Sequence, residues 1–172
     1  MPQNIVESLI FTFAADQNLI DTKHLFAERI KIESGSMSSQ FEVYTALKAY
    51  DNDPNTFCHT KKDSVNTLTL NFQETFISDV KIVNRKSTVD VVDRLNGAQV
   101  KLMRGGTEMK LCGTIDTLTG NTMLFRVTCN APGNSLIIEL ENEYLHVAEV
   151  EIYGLGEPEN SLKALISAVD HF

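Results

Sequence analysis

Through the middle of the chain, apolar residues recur at every second position. Leu68-Thr-Leu70-Asn-Phe72, Ala98-Gln-Val100-Lys-Leu102 and Val127-Thr-Cys129 each alternate apolar with polar side chains. An extended strand sends successive side chains to opposite faces, so each run can bury one face and leave the other in water. Leu136 to Leu140 is more continuously apolar and reads as a more buried strand. Turn-forming residues separate these runs at Asp51 to Asn55, Arg94 to Gly97, Arg104 to Gly106, Thr119 to Asn121 and Asn130 to Gly133. Short strands with few helical windows between them predict an all-β, antiparallel sandwich or jelly roll.

The two ends follow other patterns. Ile5, Val6, Leu9, Ile10 and Phe13 fit a helix as well as a strand, and the first 30 residues are left as an unassigned N-terminal extension. After Pro158, the apolar residues Leu162, Leu165, Ile166 and Val169 fall at i, i+3, i+4 and i+7, behind Ser161 as a candidate N-cap. That spacing predicts a short amphipathic helix. The expected organisation is an extension over 1–30, a β-sandwich over 31–155 and a C-terminal helical segment over 156–172.

Composition narrows the class of partner. The chain has 172 residues, 42% hydrophobic, enough for one well-buried core. Its formal charge is −8, the wrong sign for a protein that neutralises phosphate backbones or anionic membrane surfaces, so nucleic acid is not an expected partner. No run of apolar residues is long enough to span a bilayer. The first residues lack a basic region and Glu7 interrupts their apolar stretch, so the protein is expected to be cytoplasmic, or secreted with its signal removed. The absence of an Asn-x-Ser/Thr sequon leans toward the first. Three cysteines, Cys58, Cys112 and Cys129, allow at most one bridge within the chain.

Catalytic signals are absent. Cys58 and His59 are adjacent, but neighbours on an extended chain point to opposite faces and cannot act on one atom. Asp51-Asn52-Asp53-Pro54-Asn55 opens like an EF-hand loop, yet Thr56 stands where that loop needs Gly and Lys62 where it needs Glu. A calcium loop of another kind and a solvated Asx-rich turn both remain open. No HExxH, GxSxG or GxGxxG occurs, and no pair of carboxylates can be given acid and base roles, so no enzyme is expected.

Several short elements do share a specific order. They are Ser38-Ser39, Ala46-Leu-Lys-Ala-Tyr-Asp51-Asn-Asp53, Phe57-Cys58-His59-Thr60, Asn84-Arg85, Arg94-Leu-Asn-Gly-Ala98-Gln-Val100, Leu111-Cys-Gly113, Val127-Thr-Cys129 and Glu149-Val-Glu-Ile-Tyr-Gly154. In this order the stretch from 35 to 154 resembles the F-type lectins (fucolectins), a jelly-roll relative of the galactose-binding and discoidin-like domains. The resemblance implies a sugar site built from His59, Arg85 and Arg94, whose guanidinium and imidazole N–H groups would donate to ring and axial hydroxyl oxygens of a fucose-like sugar. It also implies calcium held by the backbone carbonyls of Lys48, Asp53 and Ala148 and the side chains of Asp51, Thr56 and Glu149, all hard oxygen donors. A Cys112–Cys129 disulfide is implied too, which leaves Cys58 as a small buried hydrophobe.

The departures from the family pattern fall on the site. Nine positions separate Arg85 from Arg94, a longer loop than relatives have. The family's Arg-x-Asp element reads Arg85-Lys86-Ser87, so the Asp that orients the first Arg is missing, with Asp90 and Asp93 as candidate substitutes. Val91-Val92 stands in place of a vicinal cysteine pair that packs on the apolar face of fucose. A second family bridge would join positions 57 and 148; here Phe57 faces Ala148 as an apolar replacement. The leading expectation is calcium-containing, non-enzymatic recognition of fucosylated glycans. The alternative is a lectin-fold protein-interaction module that has lost sugar binding and meets a protein partner, or a second copy of itself, through its loops or terminal extensions.

Overall fold

The computed structural model describes residues 27–86, 89–116 and 123–155. The expected C-terminal helix, most of the N-terminal extension and the Thr119 to Asn121 turn lie outside the described residues. Those described form nine antiparallel strands: β1 (Ala27–Arg29), β2 (Ile32–Met37), β3 (Cys58–His59), β4 (Val65–Val83), β5 (Gln99–Arg104), β6 (Thr107–Thr114), β7 (Leu124–Glu141), β8 (His146–Val147) and β9 (Glu149–Leu155). Seven lie in one hydrogen-bonded sheet ordered β1-β9-β4-β7-β5-β6, with β2 also on β4; β3 and β8 form a separate ribbon.

The sheet becomes a sandwich because its two longest strands bend. β4 and β7 pair along most of their length, but their register slips between Asn71 and Thr75 and again between Ile77 and Asp79. Before the bend, β4 lies between β2 and the C-terminal half of β7, which also carries β5. Beyond it, β4 lies between β9 and the N-terminal half of β7. Leu68, Leu70, Val100, Leu102, Leu136 and Ile138 from the first layer meet Ile82, Phe125, Cys129, Val150 and Ile152 from the second in one core. Cys112 on β6 is bonded to Cys129 on β7, across strands that share no backbone ladder.

Leu68, Leu70 and Phe72 point inward and Thr69 and Asn71 outward, as the alternation predicts. The Asn130 to Gly133 segment is different. It was expected as a turn between two strands, and it lies inside the continuous strand β7. Asn130 adopts φ +50°, Pro132 faces Phe76, and the buried faces switch from Phe125 and Cys129 to Leu136, Ile138 and Leu140 across this point. An extra residue of positive φ makes a β-bulge, so the residues that signal a turn here bend a strand. Gly133 leaves room for the facing side chain: a Cβ there would stand 2.6 Å from Leu102 Cγ.

Candidate functional site

At one end of the sandwich, the β3–β8 ribbon sets His59 opposite His146. The backbone around His59 is fixed on both sides. Phe41 N donates to His59 O, His59 N to Tyr44 O, Thr60 N to Leu145 O, and Leu145 N to the Thr60 hydroxyl. Within this frame His59 Nδ1 lies 2.6 Å from the Thr60 carbonyl. A carbonyl only accepts, so Nδ1 carries the proton and Nε2 of the neutral ring is a free acceptor. Burial lowers the His59 pKa and the Arg85 and Arg94 charges add to that, against the Thr60 carbonyl and Glu42, so the ring is neutral at pH 7. The imidazole N–H expected to donate to a sugar is thus committed to the protein.

Aromatic rings surround this imidazole. Phe41, Tyr44, Phe57 and Tyr144 have centroids 5.2, 6.0, 6.3 and 5.4 Å from it, and His146 lies 5.6 Å behind. Two of the rings carry the arginines. Arg85 Cζ sits 4.1 Å above Phe57, which is itself stacked on Tyr44 at 4.5 Å, and Arg94 Cζ sits 5.1 Å over Tyr144. The structure therefore brings His59, Arg85 and Arg94 into one neighbourhood, each arginine held by cation–π contact on a ring that neighbours the imidazole.

The long loop between the arginines is closed by a buried asparagine. Asn84 Nδ2 donates to Val92 O, its Oδ1 accepts from Arg85 N, and its own N–H donates to Met123 O. The loop folds as a helical turn over Val89–Val92 followed by a 3₁₀ turn over Asp93–Leu95, with Leu95 buried beneath it. Val92 is also buried, so of the valine pair expected to wall a sugar only Val91 keeps exposed surface. Asp93 is exposed and makes no ion pair with Arg85; the Asp90 side chain lies outside the described residues. The acidic neighbour of Arg94 is Glu143, with Nε 4.0 Å from its carboxylate, which Lys62 also meets at 3.3 Å. Burial pushes the Glu143 carboxyl up, but the Tyr144 N–H, Lys62 and Arg94 outweigh it and hold it below the usual range. Buried Asn66 fixes this rim by donating from Nδ2 to Glu143 O.

The residues expected to bind calcium are partly assembled. Thr56 Oγ1 lies 2.8 Å from Asp51 Oδ2, 3.3 Å from Asp53 O and 3.4 Å from Lys48 O. Across from this loop, Glu149 accepts Asn52 N at one oxygen and Arg29 Nη2 at the other. Burial, with Asp51 and Glu151 adding, raises the Glu149 carboxyl to about 7, against Arg29 and the Asn52 N–H. Among the described residues no three acidic, His or Cys side chains cluster, so a cation here would depend on backbone carbonyls. A desolvated carboxyl and oxygens converging on Thr56 fit a hard cation; Arg29, already on Glu149, is a competitor the sequence did not disclose.

Phe41, Tyr44, Tyr144, His146 and Glu143 were not singled out in the sequence, and Phe57 was read only as packing against Ala148. In the structure its ring turns to Tyr44 and carries Arg85. The available signal was the aromatic density flanking His59: Phe41-x-x-Tyr44, Phe57 two positions before it, and Tyr144-x-His146. Cys58 is fully buried, and burial pushes its thiol to about 12, so it packs as a hydrophobe.

Solved structures share this arrangement of strands. A fucose-binding module of Streptococcus pneumoniae, SpX-3, superposes with TM-score 0.66 at 22% identity, over 73% of this chain and 97% of its own. The chain has that module's fold, an antiparallel β-sandwich. A mutant of the lectin binding domain of lectinolysin, complexed with Lewis b, matches with TM-score 0.65 at 21% identity over 73% of this chain and 98% of that one. The fucolectin of striped bass (Morone saxatilis) serum gives 0.59 at 23% over 76% of this chain, and this chain spans 46% of its length. No protein-family model and no curated protein sequence matches this chain.

Proposed function

We propose that this domain is a non-catalytic carbohydrate-binding protein that holds a terminal, fucose-like sugar of a glycan against His59, Arg85 and Arg94. One observation carries the proposal: a bare imidazole acceptor shares its aromatic surround with two guanidinium groups, each fixed on one of those rings. A sugar edge presents hydroxyls that both donate and accept. The arginines would donate to its oxygens and His59 Nε2 would accept from a hydroxyl, while the neighbouring rings offer an apolar surface to a methyl group or ring face. The fold it shares with fucose-binding modules supports that choice of sugar.

Calcium belongs to the same proposal. Lys48, Asp53 and Ala148 would contribute carbonyls, and Asp51, Thr56 and Glu149 side chains. The ion would tie the 51–56 loop to β9 close to β3, a structural role with no part in contacting the sugar. A glycan array run with and without calcium tests both parts: fucosylated glycans should be retained. If no glycan is retained, the fold serves here as a protein-interaction module.

A further inference from the structure

Among the described residues, no carboxylate lies within ion-pair distance of the Arg85 guanidinium. Lys62 and Arg94 share Glu143. The Arg85 side chain has no hydrogen-bond or ion-pair partner among the described residues, and its Nε is buried and unsatisfied. The position that would supply an orienting carboxylate in the resembling family is Ser87, and Asp93 does not reach it. What positions the guanidinium is the Phe57 face, which fixes its plane without cancelling its charge. Arg94 adds a second positive charge that both His59 and Arg85 feel.

We infer that this sugar site takes an anionic saccharide, one bearing a sulfate ester or a carboxylate that the Arg85 guanidinium engages, in preference to the neutral sugar. The inference rests on the carbohydrate-binding reading above and narrows its ligand class. A planar guanidinium matches the oxygens of sulfate and carboxylate in two parallel hydrogen bonds, and one that is half-buried with an unsatisfied Nε gains more from an anion than from a hydroxyl. Burial and Arg94 both oppose the Arg85 charge, with Tyr44 acting the other way, so an incoming anion relieves a cost already present in the fold. The overall charge of −8 does not prevent this, because beyond a Debye length of about 8 Å at physiological salt the remaining surface is screened.

The test is titration calorimetry with methyl fucoside, its monosulfate esters, glucuronic acid and N-acetylneuraminic acid, in dilute and in concentrated sodium chloride. At least one sulfated or carboxylated sugar should bind about tenfold or more tightly than the neutral fucoside at low salt, with the advantage shrinking at high salt. The sulfate and carboxylate arms separate the two sources of charge. Arg85→Gln should abolish the advantage and weaken every sugar. Neutral fucoside binding as tightly as each anion overturns this inference and leaves the carbohydrate site standing. An anion preference that survives Arg85→Gln also overturns it, and failure of every sugar to bind overturns the site itself.

Discussion

Replacing His146 by Leu isolates one buried titratable group. His146 is fully buried, and neither ring nitrogen has a hydrogen-bond partner. Burial, with His59, Arg85 and Arg94 adding to it, lowers its pKa to about 4; the Val91 backbone works the other way, short of regular hydrogen-bond geometry. In the unfolded chain the imidazole titrates near 6.5. Above that value both states are neutral and the group contributes nothing to the pH dependence. Below it the unfolded state binds the proton first, so stability falls as pH drops from about 6.5 toward 4. With those two pKa values the loss reaches about 2.5 kcal/mol at pH 4.5. His146→Leu removes this linkage and also two orphan polar atoms, each costing about 1–3 kcal/mol when buried without a partner. Urea unfolding of parent and variant at pH 7.5 and 4.5 reads the difference directly. Glu149, whose raised pKa gives the opposite slope between about 4.5 and 7, is present in both proteins and cancels in the comparison. The variant should be at least as stable as the parent at pH 7.5, with the gap about 2.5 kcal/mol wider at pH 4.5. An equal gap at the two pH values would show that His146 is not held neutral by its surroundings.

Other consequences follow from the same structure. Calcium should raise the melting temperature, because an ion bound to the folded state alone stabilises by mass action, and Asp51→Ala with Glu149→Ala should remove the shift in differential scanning calorimetry. Arg29→Ala frees a Glu149 oxygen and should tighten calcium binding measured by titration. Reduction, or Cys112→Ser with Cys129→Ser, opens a loop closed across 17 positions and should cost about 3 kcal/mol in denaturant unfolding. Gly154→Ala would place a Cβ against the Phe76 carbonyl and Ile77 Cα, and backbone has little room to yield, so a loss of about 2 kcal/mol or more is expected in the same assay.

The architecture was legible because period-two runs such as Leu68 to Phe72 and Ala98 to Leu102 report directly which face is buried. The Asn130 to Gly133 segment was misread because one set of residues serves a turn and a bulge alike, and choosing between them depends on the partner strand, which lies some 50 positions earlier at Phe76 and Ile77. At the site, His59, Arg85 and Arg94 could be named from their order along the chain. Their means of support could not. Phe57 and Tyr144 carry the arginines through contacts between residues 28 and 50 positions apart, and an aromatic in a strand-rich sequence reads first as core. The His59 tautomer was likewise hidden, since it depends on the direction of the Thr60 carbonyl. Arg29 on Glu149 joins positions 120 apart, beyond the reach of any local pattern.

The central claim is that His59, Arg85 and Arg94 form one sugar-binding site, and calorimetric titration of L-fucose into four proteins tests it most directly. The parent should bind weakly, with Kd in the micromolar to millimolar range typical of a small ligand held by a few charge-assisted hydrogen bonds. Arg85→Ala and Arg94→Ala should each lose about tenfold or more, the cost of one such bond. Arg104→Ala, whose ion pair with Glu74 lies away from the site, should bind as the parent does. Absence of heat with the parent at fucose concentrations of about 10 mM or more, or Arg85→Ala binding as tightly as the parent, would contradict the claim.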